Sequence, residues 1–259
     1  MRVSVLGCGA IGGPVARAVR DGRVPGAVLV GVLHRGRVDP PDLPVIDAAT
    51  ATGGSDLVVE CAGHAALAEV GPRAVVAGAD LLVSSVGALT DAALLDALCA
   101  GPGRVHLTTG AIGGLDLLRS AATMGGLDRV RITTTRRPGI LAQSWMTEAD
   151  LERLRSTAEP LVLLSGGALE IARAFPRSAN VAASVALAVG DWDRVEAAVV
   201  ADPGAERTRH VIEAEGSAGR YRFEIDNLPS AETPTTSAVV PYAVLRAITD
   251  LAGTAPSFR

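Results

Sequence analysis

Lysine is absent from the 259 residues, and all 24 basic side chains are arginine. That rules out a Schiff-base lysine, a Walker-A lysine and any amino-acid dehydrogenase chemistry in which a lysine activates water. A codon bias toward arginine and alanine explains the skew, but the chemical consequence stands: arginine, histidine or the backbone must do the cationic work. Aromatic residues are also scarce, at 3%, and Trp145 and Trp192 read as packing or surface residues. With a net charge of −4, the chain offers neither base-stacking platforms nor a basic face, so no nucleic-acid partner is expected. The three cysteines, Cys8, Cys61 and Cys99, stand far apart with no CxxC or Cys/His grouping. No metal site is expected from them, and reduced thiols in a cytoplasm fit best. Apolar runs such as residues 28–30 and 81–83 are far too short to cross a bilayer, so no membrane partner is expected. The chain opens directly into a strand-like run at Arg2, so no signal peptide is expected. A 48% hydrophobic content supplies one large core or two modest ones, and disorder is disfavoured.

The first half alternates short β-branched runs with helical patterns. Arg2–Leu6 (RVSVL), residues 28–34 (VLVGVLH), 56–61 (DLVVEC), 80–84 (DLLVS) and 104–108 (RVHLT) read as strands. Between them, residues 14–21, 65–77 and 90–99 read as helices, the last with Thr90 as its expected N-cap. This spacing predicts βαβ units and a doubly wound parallel sheet of Rossmann type. After about Gly114 the pattern changes. Residues 115–124 read as helical, 129–137 (RVRITTTRR) alternate with period two, and helical stretches lie near Ala168–Ala174 and at 179–189, separated by Pro176. Residues 194–201, 208–215 and 220–227 read as three runs that pair in antiparallel fashion, with a hairpin turn at Gly216-Ser217-Ala218-Gly219. The expected division is residues 1–112 as a dinucleotide-binding domain and 113–235 as an α+β substrate domain. A final helix near residues 237–251, within the segment 236–259, is expected to pack back on the first domain.

Gly7-Cys8-Gly9-Ala10-Ile11-Gly12 follows the first strand and opens the first helix. Each glycine has a physical reason in a phosphate-binding turn: Gly7 for the tight turn, Gly9 for close approach of backbone to a pyrophosphate, Gly12 for close helix–strand packing. Free N–H groups and the positive end of the helix dipole complete an anion site, so Gly7, Gly9, Ala10, Ile11 and Gly12 are candidate cofactor contacts. Ala62, just past the third strand, is another, and His64 follows near where a cofactor would lie. Cofactor choice turns on the end of the second strand, which reads His34-Arg35-Gly36-Arg37 with no carboxylate before Asp39. An NAD site usually carries an acid there, whereas guanidiniums suit a 2′-phosphate. His34 and Arg35 are therefore assigned to the adenosine end, with NADP preferred and NAD tolerated. These arginines solvating a surface loop is the plainer alternative.

Further short stretches stand in a fixed order after this turn. They are Ser84-Ser85-Val86-Gly87-Ala88-Leu89, Thr109-Gly110-Ala111-Ile112-Gly113-Gly114-Leu115-Asp116, Thr135-Arg136-Arg137-Pro138, Phe175-Pro176 through Asn180-Val181-Ala182-Ala183, Asp202-Pro203 with His210, and Asn227-Leu228-Pro229-Ser230. Together they closely resemble the L-aspartate dehydrogenase family over essentially the whole chain. The resemblance implies NAD(P)-dependent oxidative deamination of L-aspartate to iminoaspartate, then oxaloacetate plus ammonia, or the reverse reductive amination. It implies a homodimer whose iminoaspartate can feed NAD biosynthesis. By position, His210 matches the family's catalytic histidine, and Ala111 and Asn180 match its nicotinamide-cofactor contacts. Three departures lie near the substrate side. The family's ENPKTS becomes Glu232-Thr233-Pro234-Thr235-Thr236-Ser237, Thr208 stands where the family tends to have Asn, and Ser178 replaces the first asparagine of its FPxNxN block.

Imidazole titrates near neutrality, which suits His210 to manage amine or water protons. From residue type alone, a structural or exposed His210 is as consistent as a catalytic one. Of the other histidines, His34 belongs to the adenosine end and His106 to the middle of a strand read as buried. Substrate carboxylates fall to arginine, with Arg136, Arg137, Arg207 and Arg209 the sources by position. Strand alternation puts Arg207 and Arg209 on one face and His210 on the other. Backbone N–H groups and hydroxyls around Ser84, Ser85 and Gly110 are alternative carboxylate partners. Glu213 and Glu215 read as a solvated strand face, and Asp116 as a dipole partner at a helix start. Two other functions remain open: a dehydrogenase or imine reductase for another small amino acid, and a non-catalytic NADPH-binding partner protein.

Overall fold

The computed structural model describes residues 1–36, 38, 41–176, 180–231 and 233–253. Arg37, Asp39, Ser178 and Glu232 lie outside the described residues. The chain divides into two compact units, residues 1–110 with 239–259, and residues 111–238.

Unit 1 carries a parallel five-stranded sheet in the order β2-β1-β3-β4-β5, from β1 (Arg2–Leu6), β2 (Val28–Leu33), β3 (Leu57–Glu60), β4 (Asp80–Val83) and β5 (Val105–Leu107). β1 and β3 are neighbours, so the chain winds outward from β1 in one direction and from β3 in the other. The crevice at such a reversal point is where α/β sheets bind ligands. Val3, Val5, Val58, Val59, Leu82 and Val83 are completely buried, as expected for parallel strands covered on both faces. The helices are α1 (Gly12–Arg20), α2 (Ala48–Gly53), α3 (His64–Val76) and α4 (Ala92–Cys99). α4 is capped by Asp91, whose carboxylate accepts from the Ala93 and Leu94 N–H groups. The expected cap, Thr90, instead ends a short 3₁₀ turn and donates its hydroxyl to the Gly87 carbonyl. A carboxylate next to the first helical residue is as good a cap and complements the dipole better. His106 does not sit in a buried strand. β5 is the sheet edge, and the half-buried imidazole lies 3.3 Å from Asp80 Oδ2.

Unit 2 carries a mixed five-stranded sheet in the order β10-β9-β6-β8-β7, from β6 (Arg129–Arg136), β7 (Leu161–Gly167), β8 (Val195–Ala201), β9 (Thr208–Gly216) and β10 (Gly219–Asn227). The β9–β10 hairpin turns through Ser217-Ala218 as its sequence demands. β8 does not join that antiparallel set. It pairs parallel with β6, and β6 stands between it and β9. Both faces of β8 near its centre are apolar, which suits an interior strand. One face of the sheet is packed by α5 (Leu115–Thr123), α7 (Ala168–Ala174) and α8 (Asn180–Val189), whose Leu118, Ile171 and Val185 join Ile132, Val195 and Ile212 in one core. α6 (Glu148–Ser156) adds Leu154 to it. The last helix, α9 (Val240–Leu251), belongs to unit 1 and buries Val244 and Ile248 with Val15 and Val19 of α1.

Candidate active site

In unit 1 the glycine turn is shaped by contact. Gly7 has φ +93°, and a Cβ there would lie 2.8 Å from the Ala62 Cα. A Cβ at Gly12 would lie 2.1 Å from the Gly7 carbonyl oxygen. Both positions admit only glycine. At Gly9, by contrast, an added Cβ meets nothing within 4 Å, so the middle of the turn faces open space. Ile11 at the N-cap of α1 provides no side-chain acceptor, and the helix start is left for an anion. The residues therefore fit a dinucleotide pyrophosphate. His34 follows β2, whose last carbonyl, on Leu33, accepts from Gly7 N–H at 2.9 Å. The exposed Arg35 is bonded to Glu69 on α3. Burial pushes the Cys8 and Cys61 thiols up, so neither is a ready thiolate beside the turn.

A group the sequence reading missed braces this region. Glu60, at the end of β3, is completely buried. Its Oε1 accepts from Ala62 N–H, Gly63 N–H and Ser85 Oγ, each at 2.8 Å. Its Oε2 accepts from Ser84 N–H at 3.2 Å and Ser85 N–H at 2.9 Å. One carboxylate thus ties the loop after β3 to the loop after β4, and these groups of Ser84 and Ser85 are committed to Glu60 rather than offered to a substrate. The only sign in the sequence is a charged residue closing an otherwise apolar strand.

In unit 2 the packed face of the sheet changes character along its length. On β6 the buried residues run Val130, Ile132, Thr134, Arg136, and on β9 they run Ala214, Ile212, His210, Thr208. The register sets Ile132 opposite Ile212 and Thr134 opposite His210, so both strands turn from apolar to polar at the same end. His210 is 3% exposed, and its Nδ1 lies 3.0 Å from Thr134 Oγ1. Arg136 Nε donates to Thr208 Oγ1 at 3.3 Å, and its Nη2 donates to the Thr235 carbonyl at 2.6 Å. On β10, Ile225 stands beside His210 and Asn227 beside Thr208. Burial first, and the Arg136 charge second, bring the His210 pKa down to about 4. Burial also lowers that of Arg136. The imidazole is neutral at pH 7, as a proton acceptor must be.

The other candidate arginines lie elsewhere. Arg209 pairs with Asp226 on the exposed face, Arg207 is exposed, and Arg137 donates to the Ala205 carbonyl. A hollow of about 400 Å³ on that exposed face is lined by Arg129, Arg131, Glu213, Glu215, Arg220 and Arg222. Within it Arg222 pairs with Glu213 and Arg220 with Glu215, and it lies across the sheet from His210. Among the described residues no cluster suited to a metal ion occurs.

Residues 116–251 match the family described as "Aspartate dehydrogenase, C-terminal", and residues 7–102 match "Homoserine dehydrogenase, NAD binding domain". An L-aspartate dehydrogenase of Ruegeria pomeroyi is 39% identical over 261 residues, covering 96% of this chain and 91% of the relative. One from Pseudomonas aeruginosa is 37% identical, covering 96% of each. The chain belongs to the aspartate dehydrogenase family. The crystal structure of aspartate dehydrogenase from Thermotoga maritima superposes with a TM-score of 0.79 at 26% identity, covering 100% of this chain and 99% of that one. A hyperthermophilic archaeal homoserine dehydrogenase in complex with NADPH shares the fold, at TM-score 0.61 and 12% identity. The α/β architecture, with its nicotinamide-dinucleotide-binding sheet and mixed second sheet, is thus that of an aspartate dehydrogenase.

Within this family frame, the Ala111 carbonyl accepts from Asn227 Nδ2 at 2.7 Å, which anchors the GAIGG turn to the polar end of the sheet. Asn180 is the first residue of α8, and its carbonyl accepts from Ser184 Oγ at 3.1 Å. Thr208, through its hydroxyl, and Thr235, through its backbone carbonyl, are both partners of Arg136.

Proposed function

We propose that the chain is an NAD(P)-dependent oxidoreductase acting on the CH–NH2 group of L-aspartate, giving iminoaspartate and then oxaloacetate plus ammonia, or running in reverse. The observation that carries this reading is the buried, neutral His210 at the polar end of the unit 2 sheet, in a chain 39% identical to an L-aspartate dehydrogenase over nearly its full length. In this reading Gly7, Gly9, Ala10, Ile11 and Gly12 cradle the pyrophosphate, with Ala62, Ala111 and Asn180 as further cofactor contacts. When bound, the oxidised nicotinamide supplies the hydride acceptor for the substrate Cα. His210 Nε2 takes a proton from the substrate nitrogen and releases it to solvent; it then takes one from the water that attacks the imine carbon and returns it to the nitrogen that leaves as ammonia. Of the four arginines considered by position, Arg136 is the one on the His210 face, and substrate carboxylate recognition is assigned to that end of the sheet. Arg35 is assigned to a 2′-phosphate and His34 to the adenosine end, which favours NADP over NAD. A cytoplasmic homodimer is proposed on the family resemblance. The free cysteines, and the absence among the described residues of a helix able to cross a membrane, accord with that location.

The test is a panel of L-amino acids followed by the absorbance of reduced nicotinamide, with NADP and NAD in parallel. L-Aspartate is the expected substrate. Turnover of another small amino acid with none on aspartate would move the substrate assignment. Dinucleotide binding with no turnover on any amino acid, or on any keto acid plus ammonia, would leave a non-catalytic binding protein.

A further inference from the structure

We propose that Thr134 is a positioning residue for this reaction, its hydroxyl orienting His210 through Nδ1 and fixing the tautomer that leaves Nε2 as the proton acceptor. This rests on the reading of His210 as the acid–base group. A buried imidazole needs a partner at each polar nitrogen or loses free energy. Around His210 the sheet offers few. Ile225 stands on one side, Ile212 follows two residues along the same strand, and Val199 lies beyond Thr134 on β8. The charged group facing this end, Arg136, has only N–H donors and cannot accept from Nδ1–H. Thr134 Oγ1, at 3.0 Å and equally buried, can. Accepting from Nδ1–H, it leaves the Nε2 lone pair free to take a proton, and the same bond persists once Nε2 carries that proton. A β-branched residue in a strand has restricted χ1 freedom, so the hydroxyl is held in place rather than sampled.

The chemical character of the partner matters as much as its place. A carboxylate here would favour the imidazolium and raise its pKa. A neutral hydroxyl orients without doing so, and this is consistent with an imidazole that stays unprotonated at neutral pH. The run Thr133-Thr134-Thr135 supplies its own control. Alternation points only Thr134 to the packed face, while Thr133 and Thr135 point to the other.

The experiment compares Thr134→Val, Thr134→Ser, Thr133→Val and His210→Ala in the full chain. Readouts are kcat and KM for L-aspartate, the dissociation constant of the reduced dinucleotide by its fluorescence, and Tm. Thr134→Val keeps the shape but loses the hydroxyl, and should lower kcat about 10–100-fold with dinucleotide affinity unchanged. Thr134→Ser restores the hydroxyl and should recover most of kcat, and Thr133→Val should match the wild type. Wild-type kcat in Thr134→Val alongside an inactive His210→Ala would overturn the positioning role and leave the His210 reading standing. Equal loss in Thr134→Val and Thr134→Ser would also overturn it, because a hydroxyl that restores no activity makes the packing at this position, not the hydrogen bond, the feature that matters. Retained turnover in His210→Ala would overturn the underlying reading itself.

Discussion

Acidifying the reaction probes the electrostatics of His210 more sharply than any substitution alone. With its pKa near 4 rather than the ordinary 6.5, the imidazole is still roughly 97% neutral at pH 5.5, whereas an unperturbed histidine would be only about 10% neutral. The log of kcat/KM for L-aspartate, from initial rates at saturating dinucleotide, should stay flat from pH 8 to below pH 6 and fall through a midpoint well under 6.5. An ordinary histidine would already have cost about tenfold in rate at pH 5.5. Replacing Arg136 with Gln removes the secondary cause of the depression and leaves the burial. The midpoint should then rise while remaining below 6.5, because burial, the larger cause, is left in place. The midpoint, not the amplitude, is the diagnostic, because Arg136→Gln also releases Thr208 and the Thr235 carbonyl and will lower the overall rate. A wild-type limb centred near 6.5, or a midpoint that does not move in Arg136→Gln, would refute the claim that burial and a neighbouring cation hold this base neutral.

Other consequences are equally open to measurement. Because the native His210 pKa lies below the unfolded one, the unfolded chain binds the extra proton first, and stability is lost as pH falls from about 6.5 toward 4. The loss attributable to this group is about 3 kcal/mol in full. Urea unfolding of His210→Asn should accordingly show a shallower acid slope than the wild type, and an identical slope would contradict the buried neutral imidazole. Glu60→Ala strips four backbone N–H groups and a serine hydroxyl of their buried acceptor and should cost about 3–5 kcal/mol by urea unfolding; a change under about 1 kcal/mol would show that the two loops do not depend on it. Glu69→Gln frees Arg35 from an exposed pair that contributes at most about 1 kcal/mol. It should tighten NADPH severalfold by fluorescence titration while leaving NADH unchanged, whereas Arg35→Ala should weaken NADPH selectively. Unchanged affinities in both variants would remove Arg35 from cofactor choice.

How far these features could be read from the sequence depended on how local their causes are. The strands of unit 1 are short, largely apolar runs, and β1, β2 and β4 lie within a residue of their expected limits. The glycine turn was legible because backbone sterics alone dictate it. Strand order in unit 2 was not. β6 pairs with β8 in a register 65 residues apart, as Val130 with Val195, and nothing in either strand records which distant partner it takes. α6 escaped notice because EADLERLRS buries only Leu154. Its signature was in the chain nonetheless, as the capping box in which Thr147 and Asp150 satisfy each other's N–H groups. Alternation alone correctly put Arg209 on the face opposite His210. It could not announce Thr134, the middle of three identical residues, until the register set it across from His210. Glu60 stayed hidden for the same reason, since its five donors come from two loops that meet only in the fold.

The decisive measurement is a single-turnover comparison of the wild type and His210→Ala, mixing each with NADP and L-aspartate and following reduced-nicotinamide absorbance, with dinucleotide binding measured on the same samples. The wild type should reduce the cofactor in one turnover, and His210→Ala should bind the dinucleotide equally well yet reduce it at least about 100-fold more slowly. Equal reduction rates in the two proteins, or no reduction by the wild type with L-aspartate and either dinucleotide, would contradict it.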